Sequence, residues 1–261
     1  MPVKKDIIEY YKEVDFSIWE KSVNVCFDKL NKLKTDKAKT PWALKMYTNY
    51  LQLIEIFCIN VWIISEGELY KNLFIGNADL RKKTEDTFLN KKTRNAQGMD
   101  FLTYFLESWV FGIQEKNAIN NLDQKRRTYE SLLREALEDY LKDYDLLNAY
   151  KHGFRTKSRG ANSVSIKREG GDNPPFLIGN YNTKIIYLSK KNKAVYECSL
   201  AFNWERVSQK YFFLLNMLEN TQRVLLAENG KIKLDTLYPL DNKEFNKYYG
   251  AFRVNVPLSK I

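Results

Sequence analysis

The feature that most constrains this chain is a long stretch, from Thr40 to about Glu66, that reads as a helix with almost no polar side. Leu53, Ile54, Ile56, Phe57, Val61, Trp62 and Ile64 cover most of its circumference. A helix that is apolar nearly all round must be covered nearly all round, so it belongs in the middle of a helical bundle. Thr40 is a favourable N-cap, Pro41 suits a first helical position, and Gly67 marks the end. The most apolar part, 51–64, is too short to span a bilayer and is interrupted by Gln52, Glu55 and Asn60. Residues 1–12 hold no apolar run of the signal-peptide kind, so the expectation is a cytoplasmic protein with no membrane partner.

The neighbouring segments supply the cover. From Asp15 to about Lys34, Trp19, Val23, Cys26, Phe27, Leu30 and Leu33 recur at helical spacing. A third helix is expected from about Asp100 to Ile119, with Phe101, Tyr104, Phe105, Trp109 and Ile113 on one side. A fourth runs from Asp123 to His152 on the stripe of Leu133, Leu137, Tyr140, Leu141, Tyr144 and Leu147, and Gly153 ends it. A fifth is capped by Asn203, runs to about Glu228, and is stopped by Asn229-Gly230.

Between the fourth and fifth helices the pattern changes to short β-type runs at 163–167, 176–178, 184–188 and 194–200. Turn pairs Gly170-Gly171, Pro174-Pro175 and Lys191-Asn192 punctuate them. The expected fold is mainly α: one domain over 1–261, a bundle of about five long helices, a small antiparallel β insertion at about 160–201, and an irregular tail at about 230–261. The tail's Tyr238, Phe245, Tyr248, Tyr249 and Phe252 suit packing on the bundle better than a partner surface.

Net charge is +10, which favours acidic partners such as nucleic acid. The three cysteines, Cys26, Cys58 and Cys198, sit in apolar segments without metal-ligand spacing and read as buried free thiols. With a single histidine, neither a structural zinc site nor a catalytic zinc with several His ligands is expected, and a di-iron site at Glu66, Glu68, Asp100 and Glu107 fails for want of a Glu-x-x-His pair. No phosphate-binding loop or nucleophile elbow is present. No metal and no cofactor are expected. The basic run from Arg81 to Arg94 reads first as a solvated connector and second as a nucleic-acid contact.

The stretch 145–159 carries the functional signal. Asp145, Asn148 and His152 stand at positions i, i+3 and i+7, which share one helix face. Lys151, Arg155, Lys157, Arg159, Lys167 and Arg168 follow with no acid before Glu169, and Tyr150 and Phe154 flank the histidine. Cations interleaved with rings suit a nucleic-acid backbone and its bases. An imidazole at a helix C-terminus is stabilised as the cation. In metal-independent RNA cleavage His152 would transfer protons, Arg155 or Lys151 would steady the charged phosphorane, and Asp145 or Asn148 would orient the ring. The plain alternative is a histidine that caps the last carbonyls of its helix, with basic residues drawn there by the helix dipole.

A mainly helical chain whose fourth helix closes on a polar residue, a gap and then His152 resembles the HEPN superfamily. That resemblance implies a helical bundle, a homodimer, and a metal-independent ribonuclease of the toxin–antitoxin or antiviral-defence kind. The family signature is an Arg, four to six residues, then His. Here Asp145 stands at the position the longest gap assigns to the Arg, and neither Leu146 nor Leu147 supplies one. Two functions therefore stand side by side: an RNA-binding or RNA-cleaving protein, and a non-catalytic helical protein that binds a protein partner or nucleic acid through the basic segment.

Overall fold

The apolar stretch is one 31-residue helix in the computed structural model of the protein. The structure describes residues 3–89, 101–110, 122–151, 156–159, 164–166, 176–179, 181–189, 194–231 and 252–260; the strands and the last turns before 151 are described by their backbone. The chain is mainly α. Its helices are α1 (Lys5–Glu13), α2 (Ser17–Lys32), α3 (Asp36–Glu66), α4 (Leu69–Leu73), α5 (Asn77–Thr84), α6 (Phe101–Phe105), α7 (Leu122–Lys151) and α8 (Trp204–Glu228). Wider π-type turns extend α5 over Glu85–Leu89 and α6 over Leu106–Val110.

Local chemistry sets several of these ends. Helix α3 starts before Pro41 because Thr35 caps it, its hydroxyl accepting from the Ala38 N–H at 3.4 Å. Pro41 therefore sits inside the helix and withholds one backbone donor. At the other end Gly67 takes φ +66°, and its N–H donates to Ile63 O. Asn203 caps α8 as expected: its Oδ1 accepts from the Arg206 N–H at 2.9 Å. The far end of α8 closes with Gly230 at φ +66°, where Lys231 N–H reaches Leu226 O and Gly230 N–H reaches Ala227 O. This reciprocal pair satisfies carbonyls a helix end leaves open.

Two compact units divide the chain: Met1–Glu20, Leu53–Leu141 and Phe212–Asp241 in the first; Lys21–Gln52, Lys142–Tyr211 and Asn242–Ile261 in the second. In the first unit the later half of α3 is the core, with Leu53, Ile54, Phe57, Cys58, Val61 and Ile63 fully buried. Phe57 meets Phe105 edge-on at 5.6 Å, and Trp62 meets Phe88 at 5.5 Å. Helix α1 is pinned there by the Tyr11 hydroxyl, which donates to Asn60 Oδ1. Gln222 Nε2 donates to the carbonyls of Tyr11 and Val14 at 2.5 and 2.9 Å.

The basic run expected as a connector from Arg81 is helical as far as Leu89. Leu80, Thr84 and Phe88 are buried at a spacing of four, so an apolar stripe outweighs the charges between them. Arg81 Nη2 donates to Leu141 O at 3.2 Å, and Arg134 donates to Phe88 O while pairing with Glu130 at 2.8 Å.

In the second unit α2 and the early half of α3 are joined by Asn49 Nδ2 donating to Ser22 Oγ at 2.8 Å. Phe27 packs on Trp204 at 5.6 Å. Strands β1 (Thr156–Arg159), β4 (Tyr181–Ser189), β5 (Ala194–Phe202) and β6 (Phe252–Lys260) form an antiparallel sheet in the order β1-β4-β5-β6. Strands β2 (Val164–Ile166) and β3 (Phe176–Gly179) form a separate pair. Strand β6 comes from a segment whose sequence shows no regular pattern.

Among the described residues one helix, Lys37–Glu66, is long and apolar enough to cross a membrane. Its apolar window is 67% buried in the protein, which is compatible with the core helix of a soluble protein. Cys26 and Cys58 are free and buried. Burial pushes the Cys58 thiol up to about 12, which leaves it protonated and unreactive at neutral pH.

Candidate functional site

Helix α7 is broken about two turns before its end. Asp143 leaves helical geometry at φ −109°, ψ 16°. Its side chain is only 1% exposed, and Tyr47 OH donates to its Oδ2 at 2.5 Å. The helix then resumes through Asp145, Asn148 and Lys151. All three lie beyond the break, so the spacing that places Asp145 and Asn148 on one face survives it. Leu147 is fully buried and fixes the inward side of these turns. At about 100° per residue, Asp145 stands about 160° and Asn148 about 100° around the helix from it. His152 and Arg155 lie outside the described residues, as do Lys167 and Arg168.

Lys157 and Arg159 fall on β1, an edge strand of the four-stranded sheet. Two residues apart on a strand, they share one face. The register sets Lys157 opposite Lys184 and Arg159 opposite Asn182. Three cationic positions, Lys157, Arg159 and Lys184, thus occupy one face at one sheet edge. Lys184 escaped the sequence reading because nothing local marks it. It lies in an ordinary β-type run, and only strand pairing brings it to Lys157.

A second charged site lies in the first unit, where α3 turns into α4 and α5. A cleft of 540 Å³ opens there, lined in part by Lys71, Asn72, Phe74, Asp79, Lys82 and Lys83. One wall is fixed. Lys83 Nζ pairs with Glu66 at 2.5 Å, donates to Asn72 Oδ1 at 3.3 Å, and stands 4.2 Å from the centre of the Trp62 ring. Asn72 is fully buried, and its Nδ2 donates to Glu68 O at 2.8 Å and Glu66 Oε2 at 3.2 Å. Burial works against the Glu66 charge, but the hydrogen bonds from Lys83 and Asn72 and the Lys83 and Lys71 charges outweigh it and hold this carboxyl below its ordinary value. This network braces the corner around Gly67.

The other wall is loose. Lys71 is paired with Glu66 only at 3.5 Å with its side chain 69% exposed, a contact worth little in water. Lys82 is exposed and has no ion-pair partner among the described residues. Among the described residues no group of three His, Cys, Asp or Glu side chains is placed to hold a metal ion.

No family model, no curated protein and no solved structure matches this chain.

Proposed function

We propose that this protein binds single-stranded RNA through the basic segment that follows α7, as a HEPN-like helical protein. The observation that supports the reading is the register of β1, which sets Lys184 opposite Lys157 and beside Arg159 on one edge of the sheet. Lys151, Arg155, Lys167 and Arg168 extend the same stretch of positive charge in sequence. Phosphates are the ligands that relieve such a cluster, and each contact made to them releases counterions. The bundle of about five long helices, the β segment inserted in it and the cytoplasmic setting rest on the sequence pattern, and the homodimer and the role in defence or as a toxin come from the resemblance alone.

Cleavage is the extension of this reading that needs neither metal nor cofactor. His152 would take the 2′-hydroxyl proton, and the freed oxygen would attack phosphorus. The 5′ oxygen would leave with a proton, giving a 2′,3′-cyclic phosphate. Arg155 or Lys151 would stabilise the extra negative charge, and Asp145 or Asn148 would orient the imidazole. A second reading, binding without cleavage, is favoured by Asp145, a carboxylate where the family carries its Arg.

The test is binding and cleavage of labelled single-stranded RNA across a salt series, with DNA and EDTA controls. Wild type, His152→Ala and Lys184→Gln are compared. The expected result is salt-sensitive RNA binding, with the salt slope reduced by roughly one phosphate in Lys184→Gln. EDTA-resistant cutting that vanishes in His152→Ala assigns catalysis. Binding without cutting assigns the second reading. Absence of RNA binding at low salt refutes both and leaves a protein partner.

A further inference from the structure

We infer that the cleft between α4 and α5 is a nucleotide-binding site, in which Phe74 stacks on the base and Lys71 and Lys82 take the phosphate. The first observation is the exposure of two aromatic rings. Phe74 is 82% exposed and Tyr70 is 66% exposed. They stand four residues apart on one turn, closed by the Phe74 N–H donating to Tyr70 O at 3.2 Å. Two exposed rings one turn apart form an apolar patch rather than a single exposed side chain, and a flat π-face is what a base stacks on.

The second observation is the cleft at the foot of Phe74, whose 540 Å³ falls in the range of small-molecule sites. The third is the division of labour among its lysines. Lys83 is committed to Glu66, Asn72 and the Trp62 ring and serves as wall. Lys71 has only its long, exposed contact to Glu66 to give up, and Lys82 is exposed and lines the same cleft. Both can turn to a phosphate at little cost. Asp79 lines the same space, with an oxygen 3.4 Å from where a Cβ on Gly76 would stand.

A carboxylate is wrong for a bare anion but right for the exocyclic amine of adenine or cytosine, which donates to it. A ring, two available cations and one acceptor fit a nucleotide better than either an anion or an apolar ligand. The charge balance counts against a phosphate-only site, because Asp79 and Asp86 line the same cleft as Lys71 and Lys82. Free nucleotide and the base of an RNA strand present this same chemistry. The site is independent of the basic segment proposed above to bind RNA.

The experiment is calorimetric titration of the full-length chain with AMP, UMP and a short oligoadenylate. Wild type, Phe74→Ala, Phe74→Trp, Lys82→Gln, the double variant Lys157→Gln/Arg159→Gln, and the control Ile18→Ala at another strongly exposed apolar position are titrated. The expected result is AMP binding tighter than UMP binding, weakened roughly five- to a hundredfold in Phe74→Ala by loss of one stacking contact. Phe74→Trp and Ile18→Ala should bind as wild type, and Lys82→Gln should bind more weakly with less salt dependence. Loss of RNA binding in the Lys157/Arg159 double variant with AMP binding intact separates this site from the other. An oligoadenylate that binds far more tightly than AMP identifies an RNA strand as the ligand, and equal affinities identify the free nucleotide. Absence of AMP and oligoadenylate binding in wild type, or Phe74→Ala binding as wild type does, overturns the proposal.

Discussion

Removing the Tyr11 hydroxyl tests what holds the N-terminal helix in place. Tyr11 is 1% exposed and Asn60 4% exposed, and the phenol donates to Asn60 Oδ1 across 49 residues of chain. The amide's other end is already used, with Nδ2 donating to Ile56 O at 2.8 Å. Tyr11→Phe therefore leaves a buried acceptor unmatched, in a place water does not reach. That penalty is about 1–3 kcal/mol, more than the roughly 1 kcal/mol net value of an ordinary hydrogen bond. A loss of about 2 kcal/mol corresponds to a fall of roughly 4–8 °C in Tm for a chain of this size.

Asn60→Leu leaves the phenol without its acceptor at a similar cost, whereas the double variant removes both polar groups together and should recover much of the loss. The assay is urea unfolding of wild type, both single variants and the double variant. Hydrogen exchange at the Val14 amide, which donates to Tyr10 O at 3.2 Å, reports on α1 itself. A coupling energy of about 1–3 kcal/mol is expected from the cycle, with faster exchange at Val14 in both single variants. A coupling below about 0.5 kcal/mol would show that α1 is held by Ile7, Ile8 and Gln222 and not by this pair.

Other perturbations have equally direct outcomes. Asn203→Ala should cost about 1 kcal/mol in urea unfolding through loss of the α8 cap, and Asn203→Asp should restore it. Gly230→Ala should cost about 1 kcal/mol from backbone strain alone, since φ is +66° and nothing lies within 4 Å of the added Cβ; a neutral result would contradict the left-handed closure of α8. The Glu66 carboxyl is held below its unfolded value, so its contribution is present at neutral pH and is lost as pH falls through its folded value. The urea midpoints of wild type and Glu66→Gln should therefore differ near pH 7 and converge in acid, below the ordinary carboxylate range; a gap unchanged at low pH would exclude the ion pair as its source.

Much of the helical framework was legible in the sequence, because it is written in signals that span one or two turns. The apolar circumference of α3, the Asn203 cap and the glycine that closes α8 each depend on residues three to seven apart. The same local logic marked Asp145 and Asn148 as sharing a face of α7, and nothing in the helix after Asp143 disturbs that spacing. Local signals also misled. Thr40-Pro41 has the form of a helix start, yet Thr35 takes that role. The Lys/Arg density after Leu80 hid the stripe of Leu80, Thr84 and Phe88.

What escaped the sequence altogether depends on partners far apart in the chain. Helix α1 is nine residues long, too short to stand alone in water, and is made stable by Asn60 and by Gln222, the latter 211 residues away. The break in α7 is braced by Tyr47, 96 residues from Asp143. Lys184 acquires its meaning only when β4 pairs with β1, and β5 gains its second neighbour from β6 in a segment without periodicity. Residue type and spacing thus determined the course of the long helices α2, α3, α7 and α8 and where several of them stop, since capping and amphipathicity act within a turn or two. Only the tertiary structure decided which charges and rings share a site, because that choice is made by packing and strand register between segments that no local pattern relates.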